Sequence, residues 1–160
     1  CWQRTPANTL GYLNLPDKSA EVITADGWYD SGDVFRRDAE GNYYFVGRDD
    51  DMFVCGGENI YPGQVEGILV GHEGVEQSCV VPVPDDIKGE KPIAFVVRSF
   101  GSTVTEDEAK QHALANAPAF QHPRMVIFMD ELPLAGPGKI DRKGLEAQGR
   151  EIWQAKEAKT

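Results

Sequence analysis

The sequence predicts an α+β fold, a small domain with a central three-stranded sheet covered by helices, preceded by a β-hairpin. Three observations carry this. Residues 75–83, 92–98 and 124–129 are short runs enriched in β-branched and apolar side chains, the pattern of strands. Between and around them lie stretches with helical signals: Val65, Ile68, Leu69 and His72 recur at i, i+3, i+4 and i+7, and Thr105 with Glu108 forms a capping box. With 160 residues and 41% hydrophobic side chains, the chain can bury one core or two.

In chain order, residues 1–20 read as irregular, punctuated by Thr5-Pro6, Asn8, Gly11, Asn14 and Pro16-Asp17. Residues 28–46 read as a hairpin, with strands at 34–37 and 43–46 and a loop over 38–41 that ends on glycine. Residues 52–55 form a short strand, and Pro62 suits the first turn of the helix that follows. The capping box starts a helix that runs to about Asn116, and residues 141–158 form a last helix with Leu145, Ile152 and Trp153 facing inward. The change from hairpin to α+β pattern sets a boundary near Asp50: residues 1–49 as the last piece of one domain, residues 50–160 as a complete smaller one. The abrupt start at Cys1-Trp2-Gln3-Arg4 reads as part of a longer chain.

A net charge of −10 argues against nucleic-acid and anionic-membrane binding, and no run approaches the roughly 20 apolar residues of a membrane span. Cys1, Cys55 and Cys79 fit neither a disulfide framework nor a zinc pattern, which points to a reducing cytoplasm with Cys55 and Cys79 as small buried hydrophobes. His72, His112 and His122 do not pair at metal-ligand spacing, so no metal site is expected in this chain. G-x-S-x-G and G-x-G-x-x-G are absent, and the Walker A pattern fails at Pro133 and Ile140.

Four segments carry candidate chemistry, each with a plain structural alternative. In Gly27-Trp28-Tyr29-Asp30-Ser31-Gly32-Asp33, Asp33 caps a turn or accepts hydrogen bonds from a vicinal diol such as ribose. Arg48 forms a surface ion pair with one of Asp49, Asp50 and Asp51, or aims its donor fork at the same nucleotide. Cys55-Gly56-Gly57-Glu58-Asn59 is a strand-to-helix turn, or its glycines let the backbone approach a thin extended ligand. The run from Leu132 to Arg142 is a mobile loop, or it presents Lys139 as a point charge to a phosphoryl group.

Taken in this order and spacing, the segments resemble the C-terminal part of the adenylate-forming superfamily, which includes acyl- and aryl-CoA synthetases, adenylation domains and luciferases. Trp28 to Asp33 is similar to its G-W-x-x-[ST]-G-D motif, 47–62 to its hinge motif and 133–142 to its C-terminal lysine motif. The resemblance covers 11–145 and implies an AMP-forming acid–thiol ligase. In that chemistry a carboxylate attacks the α-phosphate of ATP, a thiol, usually CoA, then displaces AMP, and the small domain rotates between the steps. It implies that Asp33 binds the ribose, Arg48 supports the nucleotide, Asp50 is the pivot and Lys139 bridges carboxylate and α-phosphate. It further implies that Gly56, Gly57 and Glu58 line the pantetheine tunnel.

By the same resemblance Phe120, His122 and Arg124 are candidates for the CoA nucleotide, with Lys88 and Lys91 as weaker ones. His122 stands where the family has lysine or arginine, and Gln64 where it often has an acidic residue. Mg2+ and most ATP contacts, the phosphate loop and the acyl pocket belong to a large upstream domain, so residues 1–160 by themselves are expected to be inactive. The substrate class implied is a fatty or aromatic acid. A stand-alone accessory module and an enzyme that loads a carrier protein are the competing readings.

Overall fold

The computed structural model describes residues 1–158 and divides into two compact units, Cys1–Asp50 and Asp51–Thr160. The first unit is built from short pieces. β1 (Trp2–Gln3) pairs antiparallel with β2 (Tyr29–Asp30), and β3 (Asp33–Arg37) pairs antiparallel with β4 (Tyr43–Arg48). Residues 1–20 are not wholly irregular: α1 spans Pro16–Val22, entered by a proline at its first position, which is pre-set for a helix. It buries no residue, which is why no apolar period announces it. In the β3–β4 loop the Asp38 carboxylate accepts from the Asn42 backbone N–H at 2.8 Å, and Gly41 supplies a φ of +92°.

The second unit has a five-stranded sheet. Its core is the three expected strands: β7 (Val75–Asp85), β8 (Gly89–Arg98) and β9 (Val126–Met129). Two more enlarge it, β5 (Phe53–Cys55) and β6 (Glu58–Ile60). β7 runs antiparallel along one side of β8 from Val75↔Arg98 to Asp85↔Gly89. The other side of β8 is shared by β5, joined at Cys55↔Gly89, and β9, parallel over Ala94–Val97. The β8–β9 crossover contains α3 (Glu106–Asn116), whose capping box is formed as expected: Thr105 Oγ1 accepts from Glu108 N–H at 3.3 Å and Glu108 Oε2 accepts from Thr105 N–H at 2.9 Å.

β7 and β8 are apolar on both faces because both faces are covered. Val80, Ala94 and Val96 face α2 (Pro62–Val70) and α3, in a core with Phe53, Cys55, Ile60, Val65 and Leu69. Val81, Ile93 and Phe95 face the opposite core, with Leu145 and Trp153 of α4 (Arg142–Glu157). Gly149 lets α4 approach closely: a Cβ there would stand 2.7 Å from Ile93 Cδ1. His72 lies past the end of α2 rather than on its apolar face. Its Nδ1 accepts from Gly74 N–H at 3.0 Å and its ring packs edge-on against His112. Cys55 and Cys79 are buried, and burial pushes the Cys79 thiol up to about 12. Among the described residues no helix is long and apolar enough to cross a membrane.

Candidate functional site

In the first unit the strand register sets Asp33 directly opposite Arg48. Arg48 Nη1 donates to Asp33 Oδ1 at 3.4 Å and to Ser31 O at 3.3 Å, while Nε and Nη2 grip the two oxygens of Asp50 at 2.8 and 3.1 Å. The Arg48 hydrogen bonds, opposed by partial burial, hold the Asp50 carboxyl below the usual carboxylate range. Gly32 makes room for the fork: at φ +70°, a Cβ would stand 3.1 Å from Arg48 Nη2. The structure thus gathers Asp33, Arg48 and Asp50 into one cluster. The choice of Asp50 as the acid that meets the Arg48 fork was not legible in the sequence, because Asp49, Asp50 and Asp51 are identical in type.

Gly56 and Gly57 are the centre of a two-residue β5–β6 hairpin, not of a strand-to-helix turn. Their φ values are +61° and +88°, the signs a type I′ turn requires at both central residues. Glu58 therefore begins a strand and pairs with Cys55. Gly56 N–H donates to Lys88 O at 2.9 Å, and the aliphatic carbons of Lys88 lie 3.6, 3.7 and 3.9 Å from where a Gly56 Cβ would be. Lys91 points away from this turn: it pairs with Asp85 and its ammonium lies over the Trp153 ring, on the α4 side.

The segment after α3 forms a 3-10 turn over Ala119–Gln121 that packs against β6, the strand that Glu58 begins. Phe120 is half-buried against the α2–α3 core rather than freely exposed for stacking. Gln64, to which the sequence assigns no role, hydrogen-bonds the buried Gln121 at 3.1 Å and ties α2 to this turn. Arg124 donates its backbone N–H to Pro92 O at 2.8 Å, and its Nη1 lies 3.3 Å from His122 Nδ1. Arginine only donates, so Nδ1 accepts and the ring proton sits on Nε2. Burial first, then the charges of Arg124 and Lys110, push the His122 pKa below its ordinary value, which favours the neutral ring with its N–H on Nε2.

Lys139 stands on a small hairpin rather than a loop. β10 (Leu134–Gly136) pairs antiparallel with β11 (Lys139–Ile140), Gly138 turns at φ +68°, and Asp141 N–H closes the base on Pro133 O at 2.7 Å. Gly-Pro-Gly conceals these short strands in the sequence. Lys139 is exposed and makes no hydrogen bond or ion pair among the described residues, while its neighbour Ile140 packs on the α4-side core. The Lys139 hairpin and the Gly56–Gly57 hairpin are therefore rooted in opposite cores of one sheet.

Just beyond Lys139, Arg142 opens α4 and makes a contact the sequence did not flag. Its Nη1 donates to Glu66 Oε1 at 2.7 Å and to Val80 O at 2.8 Å, Nη2 reaches Glu66 Oε2 at 3.4 Å, and Nε lies 3.7 Å from Asp51 Oδ2. Glu66 Oε1 also accepts from Val80 N–H at 2.8 Å. Burial opposes the guanidinium charge, but the Glu66 hydrogen bonds and charge outweigh it and raise the Arg142 pKa. Among the described residues no cluster of three or more His, Cys, Asp or Glu side chains could hold a metal ion.

Residues 64–139 match the family described as the AMP-binding enzyme C-terminal domain. The chain is 38% identical over 141 residues to the 2-succinylbenzoate–CoA ligase of Geobacillus sp. (strain WCH70), covering 88% of this chain and 28% of that protein. It is 43% identical over 130 residues to a feruloyl-CoA synthase of Amycolatopsis sp, covering 81% and 26%. Among solved structures, the amide bond synthetase McbA from Marinactinospora thermotolerans superposes with a TM-score of 0.85 at 29% identity, over 93% of this chain and 30% of that one. The chain spans about a quarter of the length of the curated relatives it matches. Through residues 64–139 it belongs to the AMP-binding enzyme C-terminal domain family, a domain of the adenylate-forming enzymes.

Proposed function

We propose that this chain is the C-terminal portion of an ATP-dependent carboxylic acid–CoA ligase, in which residues 1–49 complete a large domain and residues 50–160 form a mobile one. The observation that carries this reading is the placement of two functional hairpins on opposite cores of one sheet. A single small domain cannot offer both to one pocket at once, so they serve in turn after rotation about Asp50. The curated relatives named above, both described as CoA-linked enzymes, support the reaction class.

In the first step a carboxylate oxygen attacks the α-phosphorus of ATP and pyrophosphate leaves. Lys139, a point charge on a pinned hairpin, balances charge between carboxylate and phosphate. Asp33 accepts from the ribose hydroxyls: Arg48 holds its Oδ1, and Oδ2 has no partner among the described residues. In the second step a thiol sulfur attacks the acyl carbon and AMP leaves with the bonding electrons. The Gly56–Gly57 turn and Glu58 line the approach of the pantetheine arm, and the His122 N–H and Arg124 meet the nucleotide end of CoA. Mg2+ and the acyl pocket belong to the large domain, and the enzyme works in the cytoplasm on a fatty or aromatic acid.

The test is Lys139→Ala in the full-length ligase. ATP–pyrophosphate exchange should fall by about 100-fold or more, while thioester formation from supplied acyl-adenylate and CoA stays near the wild-type rate. Equal loss in both half-reactions removes Lys139 from its role. The likeness to an amide bond synthetase favours a second reading in which the acceptor is an amine. An enzyme that releases adenylate to amines but not to CoA would establish it.

A further inference from the structure

Arg142 carries a positive charge at the first position of α4, where the helix dipole disfavours cations. Its surroundings explain why it is there. Val80 lies on β7, the outer strand of the sheet, with its N–H and C=O turned away from β8. Glu66 Oε1 takes that N–H and Arg142 Nη1 takes that C=O, each at 2.8 Å, and the two side chains close the ring on each other at 2.7 Å. Glu66 belongs to α2 on one face and Arg142 to α4 on the other, so the clamp wraps round the sheet edge. The remaining guanidinium nitrogen, Nε, reaches the Asp51 carboxylate at 3.7 Å, one residue from the proposed pivot. The β11 strand bearing Lys139 ends two residues before Arg142, separated only by Asp141, whose N–H is tied to Pro133 O.

Resting on the reading of Lys139 given above, we propose that Arg142 is the positioning residue for Lys139. It fixes the base of the lysine hairpin to β7, to α2 and to Asp51 at once, so that rotation about the pivot carries the ammonium as the tip of a rigid arm rather than of a loose loop. Only a planar fork can meet Glu66, Val80 and Asp51 together. A lysine keeps the charge but reaches one of them.

Arg142→Lys therefore keeps the fold and loosens the hairpin. On the 160-residue chain, amide hydrogen exchange at Ile140 and Asp141 should rise about 10-fold while Val81 and Ile93 in the sheet keep their protection. In the full-length ligase the same variant should slow adenylation about 100-fold, the scale of a 1 Å misplacement, and leave thioester formation from supplied adenylate near wild type. Glu66→Gln, which keeps the shape and the Val80 acceptor, should show the same split more weakly. A uniform rise in exchange across sheet and hairpin, or equal loss of both half-reactions, reduces Arg142 to a packing role and overturns the proposal. If Lys139→Ala slows adenylation while Arg142→Lys does not, this inference falls and the role of Lys139 stands. If Lys139→Ala leaves adenylation intact, the parent reading fails and takes this one with it.

Discussion

Gly56 and Gly57 share a turn but are not equivalent. Gly56, at φ +61°, sits near the centre of the left-handed region that an L-residue can visit, whereas Gly57, at φ +88°, lies outside it. A Cβ at Gly57 would meet nothing within 4 Å, so its cost is conformational and not steric. Gly57→Ala should destabilise the chain by about 1–2 kcal/mol, more than Gly56→Ala, measured by urea unfolding of the 160-residue chain. In the proposed full-length ligase it should slow thioester formation more than adenylation. Equal effects of the two substitutions would mean that the turn relaxes around either. At this scale the sequence was informative about residue type and about local partners only. Asp33, Arg48 and Lys139 stand out by type and spacing, and an Arg48 pair with one of Asp49, Asp50 and Asp51 was legible though not which one, whereas the grip of Arg142 on Glu66, 76 residues away, depends on tertiary approach. Phe120, legible as an aromatic, is partly spent on the core.

Elements announced themselves where their local signals were strong. Pro62, the Thr105–Glu108 box and the β-branched runs of β7 and β8 were legible, and each forms the expected element. β6, β10 and β11 were not, since strands of two or three residues with polar or glycine members show no period. The turn between β7 and β8 has its own test. The Asp85 side chain, 6% exposed, accepts from Ile87 and Lys88 N–H at 3.1 and 2.7 Å and pairs with Lys91. The Lys91 hydrogen bond, against the effect of burial, holds its carboxyl below the usual range. A carboxyl lowered in the folded state contributes stability above its unfolded value of about 3.9 and loses it as pH falls through the folded value. Asp85→Asn should therefore be less stable than wild type at neutral pH, with the gap closing in acid below the folded-state value. Denaturant midpoints across that range check it, and a gap that does not change with pH would remove Asp85 as its source.

The whole chain consists of two units that meet in sequence between Asp50 and Asp51. The proposed pivot has two attachments: the Asp50 carboxylate to Arg48 in the first unit, and the next carboxylate, Asp51, to Arg142 in the second. Asp50→Pro fixes φ and removes the Arg48 partner, so in the proposed full-length ligase it should keep one half-reaction and suppress the other. If both proceed at wild-type rates, the pivot lies elsewhere. The strand at the rim of the second unit adds a consequence of another kind. β7 is eleven residues long and rich in valine, and a bare outer strand of that composition invites a second molecule to add its own strand. Val80 is its middle residue, and its outward N–H and C=O are already taken by Glu66 and Arg142. The ion pair thus blocks edge-to-edge growth at the centre of the strand, and a variant that opens it would expose a nucleus for aggregation as well as a loosened lysine.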